Sequence, residues 1–180
     1  ITYQRAKSLK DRLCQNHICK DKPKSSMMSI SGFYKCNSCK ACKHSTNVRI
    51  IEIPHSTRKH TITKFETCNS TYCIYCLICP CSLWYIGSTI HTAKKRVLEH
   101  MRAIKNVNRQ YPVARHFLEK HQSNPDLLSF FVVDSIPINP RGGNREKTLR
   151  RLESKYILDF DTMTPMGHNK DEELHVHLGD

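Results

Sequence analysis

Cys36, Cys39 and Cys42 stand three residues apart. Thiolates at this spacing grip one metal ion well and bridge each other badly. Three thiolates call for a fourth ligand, and Cys68 is expected over His44. His44 sits only two residues beyond Cys42, whereas Cys68 returns the chain from the strands in between. All ten cysteines fall within the first 81 residues, in a chain with eleven histidines. A secreted disulfide scaffold usually spreads its cysteines over the whole fold. Metal binding in a reducing compartment, cytosol or nucleus, is therefore expected, and a disulfide protein is the competing class. Cys73 and Cys76 point to opposite faces of a strand, which makes them poor joint ligands. Cys14 and Cys19 receive no role.

The chain has 180 residues, 29 Lys and Arg against 16 Asp and Glu, and a formal charge of +13. Charge of this sign suits a polyanion, through salt-sensitive phosphate contacts that are mostly independent of sequence. One basic stretch is Lys94, Lys95, Arg96, Arg102 and Lys105; another is Arg141, Arg145, Lys147, Arg150, Arg151 and Lys155. No apolar run approaches the roughly 18 residues of a membrane span, so no membrane partner is expected. The opening Ile1 suggests a fragment or a processed product. A recognition element such as a helix-turn-helix or repeated fingers is not visible, so the charge says nothing about target choice.

Patterning supplies the elements that must position these groups. Residues 1–35 are basic and weakly patterned, with Ser25 to Gly32 reading as linker. Short β-type runs follow around Val48–Ile53 and Thr61–Phe65. Tyr72 to Ile78 and Leu83 to Ile86 read as a hairpin turned at Cys79–Ser82 and ended by Gly87. Ala93, Val97, Met101 and Ile104 recur at helical steps behind Thr92, a plausible N-cap. Arg96 and His100 share a face of that helix, adjacent to its apolar stripe. A second helix should begin at Pro112, a strand should cover Leu127–Val133, and a last helix should run to about Asp159. The expected fold is a small α+β domain.

The ordered set Tyr75, Tyr85-Ile86-Gly87, Arg96 with His100, Glu153, and Gly167-His168-Asn169 resembles the GIY-YIG nuclease family. In detail it is similar to the endonuclease domain of Penelope-like retroelements. The likeness covers about Thr71–Asn169. It includes Cys79-Pro80-Cys81 between the tyrosine strands, Leu83 to Thr89, Arg96 to His100, Ala114 to Phe117, Arg141 to Gly143 and Pro165 to Asn169. Ser8-Leu9-Lys10-Asp11 and the Cys-rich lead-in look like the upstream region of the same elements. Two positions depart from the family: Cys73 stands where its name has Gly, and Tyr156 where Trp is common. Neither removes a reacting group.

The resemblance implies a short mixed or antiparallel sheet flanked by helices, preceded by a zinc-binding region. It implies metal-dependent nicking of DNA, with Tyr75, Tyr85, Gly87, Arg96, His100, Glu153 and Asn169 in the site. Glu153 would hold Mg²⁺ (or Mn²⁺), which needs few protein ligands because it keeps several waters. Arg96 would face the phosphate, and His100 would orient or relay a proton. Asn169 would help fix the site. Cys79, Cys81, His116 and His121 would form an S₂N₂ zinc site, with Cys36, Cys39, Cys42 and Cys68 as a second zinc set. His116 and His121 diverge on a regular helix, so the helix must end before His121. Residues 1–70 are then a basic, Cys-rich region, 71–172 the nuclease domain and 173–180 a frayed tail. A nuclear location and an upstream reverse transcriptase region are further implications. The alternative is an inactive, zinc-stabilised DNA-binding module derived from such an element.

Overall fold

A computed structural model describes residues 30–138 and 142–170. The expectations for Ser8–Asp11, Cys14, Cys19, Arg141 and the tail 173–180 lie outside the described residues. The fold is α+β. β1 (Gly32–Tyr34) pairs in parallel with β4 (Phe65–Thr67), and β2 (Ile50–Glu52) pairs antiparallel with β3 (Lys59–Thr61). β5 (Cys73–Ile78) is the centre of an antiparallel sheet, with β6 (Trp84–Thr89) on one side and β7 (Ser129–Ser135) on the other. Among the described residues, three α-helices complete it: α1 (Ala93–Lys105), α2 (Pro112–Lys120) and α3 (Arg145–Asp159). No helix among the described residues is long and apolar enough to cross a membrane.

β5 sits at the middle because its side chains are apolar on both faces, from Cys73 through Leu77. α1 covers one face of the sheet and α3 the other, an arrangement the alternation of β6 makes legible. Tyr85 and Gly87 point toward α1, where Tyr75 and Tyr85 both meet the His100 ring at 5.7 Å. Trp84, Ile86 and Ser88 point the other way, and Trp84 packs on Phe160 at the end of α3. The Cys-rich segment is not detached from this core. Phe33 packs edge-on against Phe130 of β7 at 5.7 Å, and the carboxylate of the buried Glu66 in β4 accepts from Ser135 Oγ at 2.6 Å.

Several local expectations shift. Gly87 does not end the hairpin; β6 runs through it to Thr89. β1 occupies the edge of the segment read as linker, where only Gly32, Phe33 and Tyr34 carry a strand signal. The side chain of Thr92 makes no cap hydrogen bond. Instead, Ala93 and Lys94 donate their backbone N–H groups to the carbonyls of Ser70 and Cys68, each at 2.9 Å. The first turn of α1 is thus capped by the turn that carries a candidate metal ligand. His100 lies within the buried stripe of α1 rather than beside it. Asn144 caps α3, accepting from Lys147 N at 2.9 Å.

Candidate functional site

The Gly87–Ser88 end of β6 is where the expected residues meet. Tyr75 lies directly across from Gly87 in the β5–β6 register. Arg96 Nε donates to the Tyr75 hydroxyl oxygen at 3.2 Å, and that oxygen is 2.8 Å from His100 Nε2. The hydroxyl thus ties the guanidinium and the imidazole together through one oxygen. Burial, with the Arg96 charge beside it, pulls the His100 pKa down to about 3. His100 is neutral at pH 7. Burial also pushes the Tyr75 phenol well above its usual range, with Arg96 opposing that rise.

Tyr75 has no exposed surface, whereas Tyr85 keeps 9% of its own. The two tyrosines therefore stand differently toward solvent. A third tyrosine, Tyr111, completes the surround of His100 at 6.0 Å. Sequence reading passed over it because it precedes the proline that opens α2. Arg96 also donates to Glu99 at 3.2 Å, a pairing that the i,i+3 spacing on a helix signals.

Glu153 reaches this end of β6 from α3, on the opposite face of the sheet. Ser88 Oγ donates to Glu153 Oε2 at 2.7 Å, and the carboxylate is near enough to act electrostatically on Tyr75. Asn169 approaches from the closing loop and is wholly buried. Its side-chain amide accepts from Ile86 N at 2.9 Å and donates to Ile86 O at 2.8 Å. These two bonds replace the strand partner that the outer strand β6 lacks at this residue.

Gly87 is required by space, not by backbone angle. A Cβ here would lie 2.5 Å from the Tyr75 hydroxyl oxygen and 2.8 Å from the Tyr85 ring. Gly87→Ala is therefore expected to cost about 1–3 kcal/mol through overpacking, and to separate Tyr75 from Arg96 or His100. Thermal melting checks the first effect, and a variant that melts like its parent would mean that this contact is not tight.

Two side-chain clusters can hold a metal ion such as zinc. In the first, Cys42 Sγ lies 3.3 Å from Cys36 Sγ and 3.5 Å from those of Cys39 and Cys68. The eight described cysteines are free thiols, so four sulfurs converge without a bond between them. Tetrahedral Zn–S bonds of about 2.3 Å put sulfurs roughly 3.8 Å apart, close to this arrangement. Burial raises the Cys68 thiol and a hydrogen bond from Ser38 lowers Cys36 to about 6. His44 takes no part in the cluster; it lies 3.8 Å from Asp126.

In the second cluster, Cys79 Sγ is 3.2 Å from His116 Nε2 and 2.8 Å from His121 Nε2. Cys81 Sγ is 2.9 Å from Cys79 Sγ and 3.1 Å from His116 Nε2. α2 stops at Lys120, and the chain turns sharply through left-handed Gln122 and Ser123. That stop lets two histidines five residues apart face one point. The His168 ring lies 4.4 Å from that of His116, tilted by 53°, so this cluster adjoins the residue before Asn169. Cys73 and Cys76 are buried and belong to neither cluster.

The basic stretches divide. Lys95, Arg102 and Lys105 of α1 and Lys147, Arg150, Arg151 and Lys155 of α3 are exposed. Arg145 is committed to structure: its guanidinium lies 3.7 Å over the Tyr72 ring and donates to the Ile136 carbonyl.

Comparison of the chain with family models, with curated proteins and with solved structures finds no match.

Proposed function

We propose that this protein is a metal-dependent DNA endonuclease of the GIY-YIG type, resembling that of Penelope-like retroelements. The observation that carries the reading is the convergence of Tyr75, Arg96, His100 and Glu153 at one end of β6. Four residues separated by up to 78 positions have no packing reason to place an arginine, a phenol, a neutral imidazole and a carboxylate together. In-line phosphodiester hydrolysis uses that set: a cation for the phosphate, proton-accepting groups, and a carboxylate for a divalent ion.

Each residue then has a task that its surroundings permit. Arg96, partly open to solvent, meets a phosphate oxygen with its guanidinium fork. Tyr85, the more open tyrosine, faces the attacking water. Tyr75 acts from behind, fixing Arg96 and His100 through hydrogen bonds at its hydroxyl. Glu153 offers one carboxylate, which fits Mg²⁺ because waters and phosphate oxygens complete its shell. When bound, that ion supplies Lewis-acid stabilisation of the leaving oxygen. The two Cys/His clusters are proposed as structural zinc sites, each closed by four protein ligands.

Nicking of a supercoiled plasmid with Mg²⁺, and its loss with EDTA, tests the reading. DNA affinity is expected to fall steeply with salt, and reversal of Lys94 and Lys95 to glutamate should weaken it for all sequences alike. Salt-sensitive binding without any cutting would leave the DNA-binding module as the function. Salt-independent binding would remove the electrostatic argument.

A further inference from the structure

We propose that Ser88 is the positioning residue for Glu153, setting the direction in which its carboxylate meets the divalent ion. The inference rests on the endonuclease reading and names a residue which that reading does not use. Glu153 approaches from α3, whereas Arg96 and His100 come from α1 across the sheet. Something must draw the carboxylate toward the strand end where the others gather. The Ser88 hydroxyl does so, through a bond of 2.7 Å to Oε2. That length is typical of a hydroxyl donating to an ionised carboxylate.

Position on the strand is the second argument. Ser88 follows Gly87, the residue whose missing side chain admits the Tyr75 hydroxyl. By alternation its side chain leaves the sheet on the α3 face, the face from which Glu153 arrives. A single peptide unit therefore separates the two halves of the site. Gly87 makes room for the proton-handling side, and Ser88 anchors the metal-holding side. A glutamate carboxylate rotates broadly about its last torsion, and a hydrogen bond to one oxygen fixes its plane. Groups that orient a metal ligand in this way typically contribute 10–100-fold in affinity.

The test is Mn²⁺ titration of the full, zinc-loaded chain followed by electron paramagnetic resonance, with Mg²⁺-dependent nicking in parallel. Ser88→Ala is expected to weaken Mn²⁺ binding at least tenfold and to raise the Mg²⁺ needed for half-maximal nicking by a similar factor. DNA affinity in EDTA should not change. Ser88→Thr keeps the donor and should restore both values toward the parent. Should the alanine variant fold poorly, Ser88→Cys, similar in volume and a weak donor, should show the same loss. Parental Mn²⁺ affinity in Ser88→Ala or Ser88→Cys, with affinity lost in Glu153→Ala, overturns the role of Ser88 alone. Unchanged Mn²⁺ binding in Glu153→Ala as well overturns the metal site itself.

Discussion

Glu153→Ala is expected to abolish nicking while leaving the fold and DNA binding almost intact. A divalent ion held by one protein carboxylate has no substitute ligand, and the stabilisation forfeited is several kcal/mol. A loss of about 4 kcal/mol corresponds to roughly a thousandfold in rate. Glu153 is half-buried on α3, outside the hydrophobic core, so the melting temperature should move little. Glu153→Gln should fare no better, because a neutral amide binds a hard dication poorly. Arg96→Ala should also cut poorly but bind DNA more weakly, since Arg96 is both clamp and charge. Wild-type nicking by Glu153→Ala would make the carboxylate an ordinary surface group and the proposed site wrong.

Loss of the Cys36/Cys39/Cys42/Cys68 site should have the largest effect on stability. Purified protein is expected to carry two zinc equivalents, and Cys42→Ser to carry one. Cys42 is the choice because its sulfur approaches the other three. Structural zinc contributes on the order of 10 kcal/mol of binding free energy to the folded state. Without it, residues 30–70 should open. The effect should also reach α1, because Cys68 and Ser70 carbonyls cap its first turn. Amide exchange at residues 93–96 should quicken, and cutting should fall with it. Protein without metal, or a Cys42→Ser variant that melts like its parent, would remove the structural role of this cluster.

How much of this was legible depended on the range of the signal. The hairpin, the three helices and the β7 segment follow from periodicity that each carries within a few residues. The Cys36/Cys39/Cys42/Cys68 cluster was legible because thiol spacing is local and the fourth ligand follows from reach, whereas the Cys79/Cys81/His116/His121 cluster was expected from the family resemblance. The end of α2 before His121 was also legible, from the divergence that a continued helix would impose. What stayed hidden is long-range. Nothing in Thr92 says that its cap will be made by Ser70 and Cys68. No local pattern tells that Tyr75 will be wholly buried while Tyr85 keeps 9% of its surface, since both read as alternating strand residues. Ser88 was visible as the residue after Gly87, but its partner lies 65 residues away. The three-residue β1 was lost for a different reason: its parallel partner β4 comes 33 residues later, and three residues carry too little pattern.

The amide of Asn169 has a consequence for the life of the newly made chain. β6 is an outer strand, and outer strands offer unpaired N–H and C=O groups to any passing segment of extended chain. Asn169 occupies those groups at Ile86, and the backbone N–H of His168 binds the neighbouring Trp84 carbonyl at 2.9 Å. Both residues are synthesised more than 80 positions after the strand residues they bind. During translation the sheet can therefore form with its flank open, beside apolar Trp84 and Ile86. Expression temperature and chaperone supply should govern the yield of soluble protein more than final stability does. The residue that closes the site also covers the strand edge most open to mispairing.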